Sequence, residues 1–188
     1  MNEAQCTRRV LWQRLDEPGW ESICLQQLEN GGWEADAHFV GSHQGHAVAA
    51  DYRLVLDASW VTLRAEANWG LGPSRTTLVL DRVGTRWRVN GDQRPDLDGC
   101  IDVDFGWSPL TNTLPIRRIG LQDHRPHEID VAWIREGTLE VGKSAQRYTR
   151  TGPAAVLFES LRSGFTASLQ VDEDGLVQVY PGLFRRLA

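Results

Sequence analysis

Long apolar runs are missing from this 188-residue chain. The opening MNEAQCTRRVLWQRLDEPGW offers only short apolar pieces after Arg8 and Arg9, not the apolar core of about 7 to 15 residues that an export signal needs. No later span approaches the roughly 18 apolar residues of a membrane helix, so no transmembrane segment is expected. Basic runs are also absent: the 20 Lys and Arg are outnumbered by 25 Asp and Glu, for a net charge of -5. A surface that tracks phosphates is therefore excluded, and nucleic acid with it. Cysteine is scarce and odd in number. Cys6, Cys24 and Cys100 are widely spaced and form no C-x-x-C, which predicts free thiols and a cytoplasmic location.

Catalytic signatures are missing too. There is no G-x-S-x-G, no P-loop and no G-x-G-x-x-G leading into a helix, which removes the common nucleophilic and nucleotide-binding machinery. His38, His43 and His46 lie within nine residues, but their spacing fits no zinc pattern. Asp102-Val103-Asp104 has the D-x-D form of metal-dependent sugar transferases, yet no alternating βα pattern surrounds it. No metal site and no cofactor are expected.

What is present is a period of two. From Trp60 to Trp69, Val61, Leu63, Ala65, Ala67 and Trp69 alternate with Thr62, Arg64, Glu66 and Asn68, the pattern of a half-buried strand. Comparable segments run over Val10 to Leu15, Trp20 to Leu28, Trp33 to Val40, Val48 to Leu56, Thr76 to Val83 and Arg86 to Val89. Others cover Ile129 to Ile134, Leu139 to Thr149, Phe165 to Val171 and Leu176 to Tyr180. Asn30-Gly31-Gly32, Asn90-Gly91 and Asp174-Gly175 supply the positive φ that tight hairpins require. Many short strands with hairpin turns mean a mostly antiparallel β fold. No linker, repeat or change of composition divides residues 1–188, so they read as one domain.

Two segments compete for a helix. In TGPAAVLFESLRSG, residues 151–164, Pro153 and Gly164 are sensible punctuation, but the same residues also alternate. In Thr111 to Ile119, Thr111 or Asn112 can cap, Pro115 can sit in the first turn and Gly120 can close. The second is favoured.

The chemistry concentrates in residues 99–121, GCIDVDFGWSPLTNTLPIRRIGL. In an extended strand Ile101, Val103 and Phe105 point one way, and Asp102 and Asp104 the other, with Cβ atoms roughly 7 Å apart. With Asp92, Asp96 and Asp98 they make five acids in thirteen residues. Such acids either face water or line the concave side of a curled sheet, where they would form an acidic pocket suited to sugar hydroxyls or to a cation. Eight tryptophans are many for this length. Most belong to a core, while a few on a concave surface would stack on sugar rings or line a lipid slot.

These residues, with DASWVTLRAE, RWRVNGDQRPDLDGC and the closing VDEDGLVQVYPGLFRR, carry a resemblance to a bacterial glycolipid-binding family long classed as a domain of unknown function. The resemblance spans nearly the whole chain and is most specific in the aspartate strand followed by TNTLPIRR and in the pattern Asp172, Gly175, Leu176, Val177, Tyr180, Pro181. It implies a many-stranded antiparallel sheet curled around a single short helix, a spiral β-roll remotely similar to lipoprotein localisation factors, with an acidic pocket and a homodimeric assembly. It also makes 111–119 the enclosed helix and 154–161 a strand. Combined with the residue chemistry, it makes Asp102, Asp104, Asn112, Trp107, Arg117, Arg118 and Tyr180 the candidate contacts for a glycolipid, lipid or sugar ligand, and it implies a role in glycolipid metabolism. An enzyme acting on a glycoconjugate through paired carboxylates is the alternative. Such a pair stands about 5 Å apart in retaining glycosidases and about 6.5 to 9.5 Å in inverting ones. A dimeric scaffold with an incidental pocket is a third reading.

Overall fold

The protein is described by a computed structural model covering residues 7–122 and 124–188. Its first half is a run of hairpins: β1 (Arg8–Arg14), β2 (Gly19–Gln27), β3 (Trp33–His43), β4 (His46–Leu56), β5 (Thr62–Trp69), β6 (Thr76–Val83), β7 (Arg86–Val89) and β8 (Asp92–Gln93). Then come β9 (Asp102–Phe105), the helix α1 (Leu110–Ile119), and a second run: β10 (Pro126–Ile134), β11 (Val141–Gly152), β12 (Ala155–Ser160), β13 (Thr166–Val171), β14 (Val177–Tyr180) and β15 (Phe184–Arg186).

The fifteen strands among the described residues form one sheet, in the order β8-β7-β6-β5-β4-β3-β2-β1-β15-β14-β13-β12-β11-β10-β9. The two runs are spliced where the first and last strands pair, Trp12 opposite Arg186 and Arg14 opposite Phe184. Every pairing is antiparallel except that of β9 with β10, which are parallel and joined through α1. A parallel pair needs a crossover connection, and the helix supplies it. Strand β9 is buried at Asp102, Val103 and Phe105, and Asp104 alone in it keeps some surface. Val103 and Phe105 belong to the main core, where Phe105 meets Tyr52 of β4 with ring centroids 4.5 Å apart. Trp107, just beyond β9, meets Trp69 of β5 at 5.0 Å. The end of one run therefore lies inside the curl of the other, and the sheet is a spiral rather than a closed barrel.

Local chemistry explains the elements. Asn90 and Gly91 take φ of 51° and 90°, the two positive values of the tight turn between β7 and β8. Segment 151–164 resolves into the end of β11 and β12, because its alternation places Val156 and Phe158 inside. Helix α1 begins at Leu110, ahead of the starts that Thr111 or Asn112 would cap: Ser108 Oγ accepts the Leu110 N–H at 3.1 Å, and Pro115 falls in the helix interior. Gly120 closes the helix in the left-handed region, as its position predicts. The alternation of β5 breaks at its start, where an irregular pairing beside Leu56 turns Thr62 inward and leaves Leu63 40% exposed.

The thiols need one correction. Cys100 is free and buried, but Cys24 is disulfide-bonded, so the expectation of free thiols fails at that position. Cys6 lies outside the described residues. No helix among the described residues is long and apolar enough to cross a membrane.

Candidate functional site

Helix α1 runs back along β9, and this antiparallel course decides the fate of the two aspartates. Asp104 lies beside the first turn, where Thr111 Oγ1 donates to its Oδ1 at 2.9 Å. Asp102 lies beside the last turn, where Arg118 clamps it with Nε to Oδ1 at 3.1 Å and an Nη to Oδ2 at 2.6 Å. Both carboxylates share the strand face expected of them, and that face is packed against α1. They are nonetheless separated in role, because Asp102 is fully buried under Arg118 while Asp104 opens into a cleft.

That cleft has a volume of about 1110 Å³. Its floor is polar: Asp104, Ser108, Asn112 and Gln146. Gln146 on β11 donates to Asp104 Oδ2 at 2.6 Å, accepts from the Tyr148 hydroxyl at 3.1 Å, and Asn112 donates to that hydroxyl at 3.0 Å. Asp104 is surrounded by protein yet keeps some accessible surface, because the cleft reaches it. Burial pushes its carboxyl above the usual range, Thr111 and Gln146 oppose that push by hydrogen bonding to the charged form, and the Asp102 charge reinforces it. Burial also raises Asp102, against the pull of Arg118.

One wall of the cleft is aromatic. Phe158, Phe165, Tyr180 and Phe184 form a chain of tilted and edge-on rings with centroids 6.2 to 6.4 Å apart. Phe165, at the rim, is 42% exposed. The Tyr180 hydroxyl is held far above its ordinary value, first by burial and then by Asp104. The lip carries Arg94, Arg135, Lys143 and Arg162 with Glu140, so the acids that line the cleft are Asp104 on the floor and Glu140 at the lip.

A second, smaller cleft of about 590 Å³ opens at the other end of α1. It holds Arg117 and Arg118 with Trp33 and Trp60. The Arg117 guanidinium lies 4.3 Å from the Trp60 ring centroid and 5.6 Å from that of Trp33, and it also donates to the Asp174 carbonyl at 2.9 Å. Trp60 takes φ of 66°, an outlier for a bulky residue. Asp57 holds that turn by accepting the N–H groups of Ser59 and Val61.

Of the seven residues singled out in the sequence, the large cleft thus brings together Asp104, Asn112 and Tyr180. Arg117 and Arg118 belong to the smaller one. Trp107 is fully buried and packs on Tyr52, Trp69 and Phe105 rather than lining either cleft. Asp102 is tied to Arg118. The carboxylates of a glycosidase-like pair are therefore not presented to one space. Gln146, Ser108 and Phe165 were not expected. Gln146 had a signal, since it shares the inward phase of Tyr148 along β11.

Comparison with known proteins bears on the whole chain at once. The profile of a family described as "Putative glycolipid-binding" matches residues 9–186. The chain belongs to this family. The crystal structure of a DUF1089 family protein from Pseudomonas aeruginosa is similar, with 38% sequence identity and a TM-score of 0.79. The likeness covers 90% of this chain and 92% of that one. No curated protein matches the chain. Membership in the glycolipid-binding family extends over both clefts and over the helix between them.

Proposed function

We propose that the large cleft binds a glycolipid, with the sugar on the polar floor and the acyl chain along the aromatic wall. The observation that carries this reading is the joining of both chemistries in one cavity. Asp104, Asn112 and Gln146 offer acceptors and donors to hydroxyls, and Phe158, Phe165 and Phe184 offer a continuous apolar strip. The volume, about 1110 Å³, lies just above the range of roughly 300 to 1000 Å³ usual for small-molecule sites and suits an amphiphile. The family's description agrees in kind. Binding rather than hydrolysis is favoured because only Asp104 of the two aspartates opens into the cleft, while Asp102 is engaged by Arg118.

The same reading includes a homodimer and a part in glycolipid metabolism in a bacterial cell. The outer face of β2 and β3 supports the dimer, since Trp20 and Val40 are direct cross-strand partners and are 49% and 62% exposed. A cytoplasmic site of action rests on the free Cys100 alone, because Cys24 is bridged.

Native mass spectrometry of gently purified protein tests binding and assembly together. The expected spectrum is a dimer of the 21.1 kDa chain with retained amphiphile, and Asp104→Asn should lose most of that adduct while remaining folded. A bare 21.1 kDa monomer would contradict both parts.

A further inference from the structure

Behind the cleft floor, within the curl of the first run of strands, lies a carboxyl group that the binding reading has not used. Glu21 projects from β2 in the inward phase of Ile23 and Leu25 and is fully buried. Its cross-strand partners are Trp12 on β1 and Phe39 on β3, both aromatic and buried. From β4 it meets the Tyr52 hydroxyl, and through that hydroxyl it is linked to Ser108 in the turn before α1. Among the described residues no charged side chain acts on it. Tyr52 Oη stands 2.8 Å from Glu21 Oε1 and 2.8 Å from Ser108 Oγ, and Ser108 lines the cleft. Ser108 Oγ also accepts the Leu110 N–H at 3.1 Å. The other carboxyl oxygen, Glu21 Oε2, has no partner among the described residues.

A chain of hydroxyls between a carboxyl group and a cavity has two self-consistent directions. With a proton on Glu21, the acid donates to Tyr52, Tyr52 donates to Ser108, and the hydrogen of Ser108 is left for the cleft. With Glu21 ionised, Tyr52 donates to the carboxylate, Ser108 donates to Tyr52, and the cleft meets only a lone pair. The unpartnered Oε2 selects between them. A neutral carbonyl oxygen without a partner costs far less than an unpartnered end of a buried charge.

We propose that Ser108 contacts the ligand as a hydrogen-bond donor to an acceptor-only oxygen, a glycosidic ether or an ester carbonyl, and that Glu21 and Tyr52 are positioning residues that set its direction. The proposal rests on the amphiphile reading of the cleft. Burial agrees with it, since it pushes the Glu21 carboxyl up to about 8 and keeps it protonated at neutral pH. A ligand hydroxyl could adapt to either direction. An ether or ester oxygen cannot, so the protein favours ligands whose junction between sugar and chain sits at Ser108.

Calorimetric titration with monomeric octyl β-D-glucoside, well below and well above pH 8, tests this on the full chain. The parent should bind about three- to tenfold more weakly at the higher pH, the range set by one hydrogen bond. Glu21→Gln carries a permanent donor and should hold the tighter affinity at both pH values. Tyr52→Phe breaks the chain and should remove the pH dependence, and Ser108→Ala should bind weakly at both. A parent whose affinity does not change, or a Glu21→Gln that changes as the parent does, would overturn the proposal. Infrared difference spectra of the ligand-free protein, parent minus Glu21→Gln, supply a readout independent of binding. A protonated carboxyl band at neutral pH that vanishes above pH 8 is expected, and an ionised band at neutral pH would overturn the relay. If the band is as expected but the glucoside does not bind at either pH, the amphiphile reading fails and with it the ligand role of Ser108.

Discussion

Glu21 is a charged residue type in an apolar phase. In GWESICLQ it shares the inward side with Gly19, Ile23 and Leu25, a place not expected of it from the sequence, because Trp20 and Cys24 make the opposite phase apolar as well. The sign of its effect on stability follows from its raised carboxyl, about 8 against an ordinary 4.5. Between these values the native state binds the proton more tightly than the unfolded chain. Its contribution is therefore complete below pH 4.5 and is lost as pH rises through 8. The slope in that window is at most ~1.4 kcal/mol per pH unit. Thermal melts across the window should show the parent losing stability faster with rising pH than Glu21→Gln, and parallel curves would contradict the assignment. Asp102 and Asp104 were legible as a pair on one face, but their division was not. It depends on Arg118 and Thr111 arriving from opposite ends of a helix that starts at Leu110, before the caps its sequence suggested.

Among the elements, α1 is enclosed over its first two turns, with every residue from Leu110 to Ile116 buried. Its neighbour Gly175, in the turn before β14, takes φ of 75°, and a Cβ there would stand 3.0 Å from Ile116 Cγ2. Gly175→Ala therefore meets both backbone strain and the helix. The expected cost is ~1 to 3 kcal/mol, a fall in melting temperature of roughly 2 to 4 °C per kcal/mol for a domain of this size. A calorimetric scan with no fall would show that the helix can shift away freely. Most strands could be read from period two, and Thr76–Val83 and Arg86–Val89 match to the residue. The two-residue β8 and three-residue β15 could not, because so few positions carry no period. The start of β5 misled for another reason, since a bulge shifts phase without marking the sequence.

At the scale of the whole molecule, a sheet of fifteen strands stays open by spiralling, and the spiral makes the cleft. Its floor comes from β9, α1 with the turn before it, and β11, and its aromatic wall from β12, β14 and β15 with Phe165 just before β13. Pairings such as Gln146 with Asp104 join residues 42 positions apart, which no local pattern announces. The smaller cleft at the far end of α1, roughly 15 Å away along a ten-residue helix, is the natural rival for a ligand, because Trp33, Trp60 and two arginines meet there. Photo-crosslinking with an alkyl glucoside that carries a diazirine on its chain, followed by peptide mapping, decides between them. The account predicts labelling within residues 158–165 and 180–184, competed by unmodified octyl glucoside. Labelling confined to the neighbourhood of Trp33 and Trp60 would contradict it.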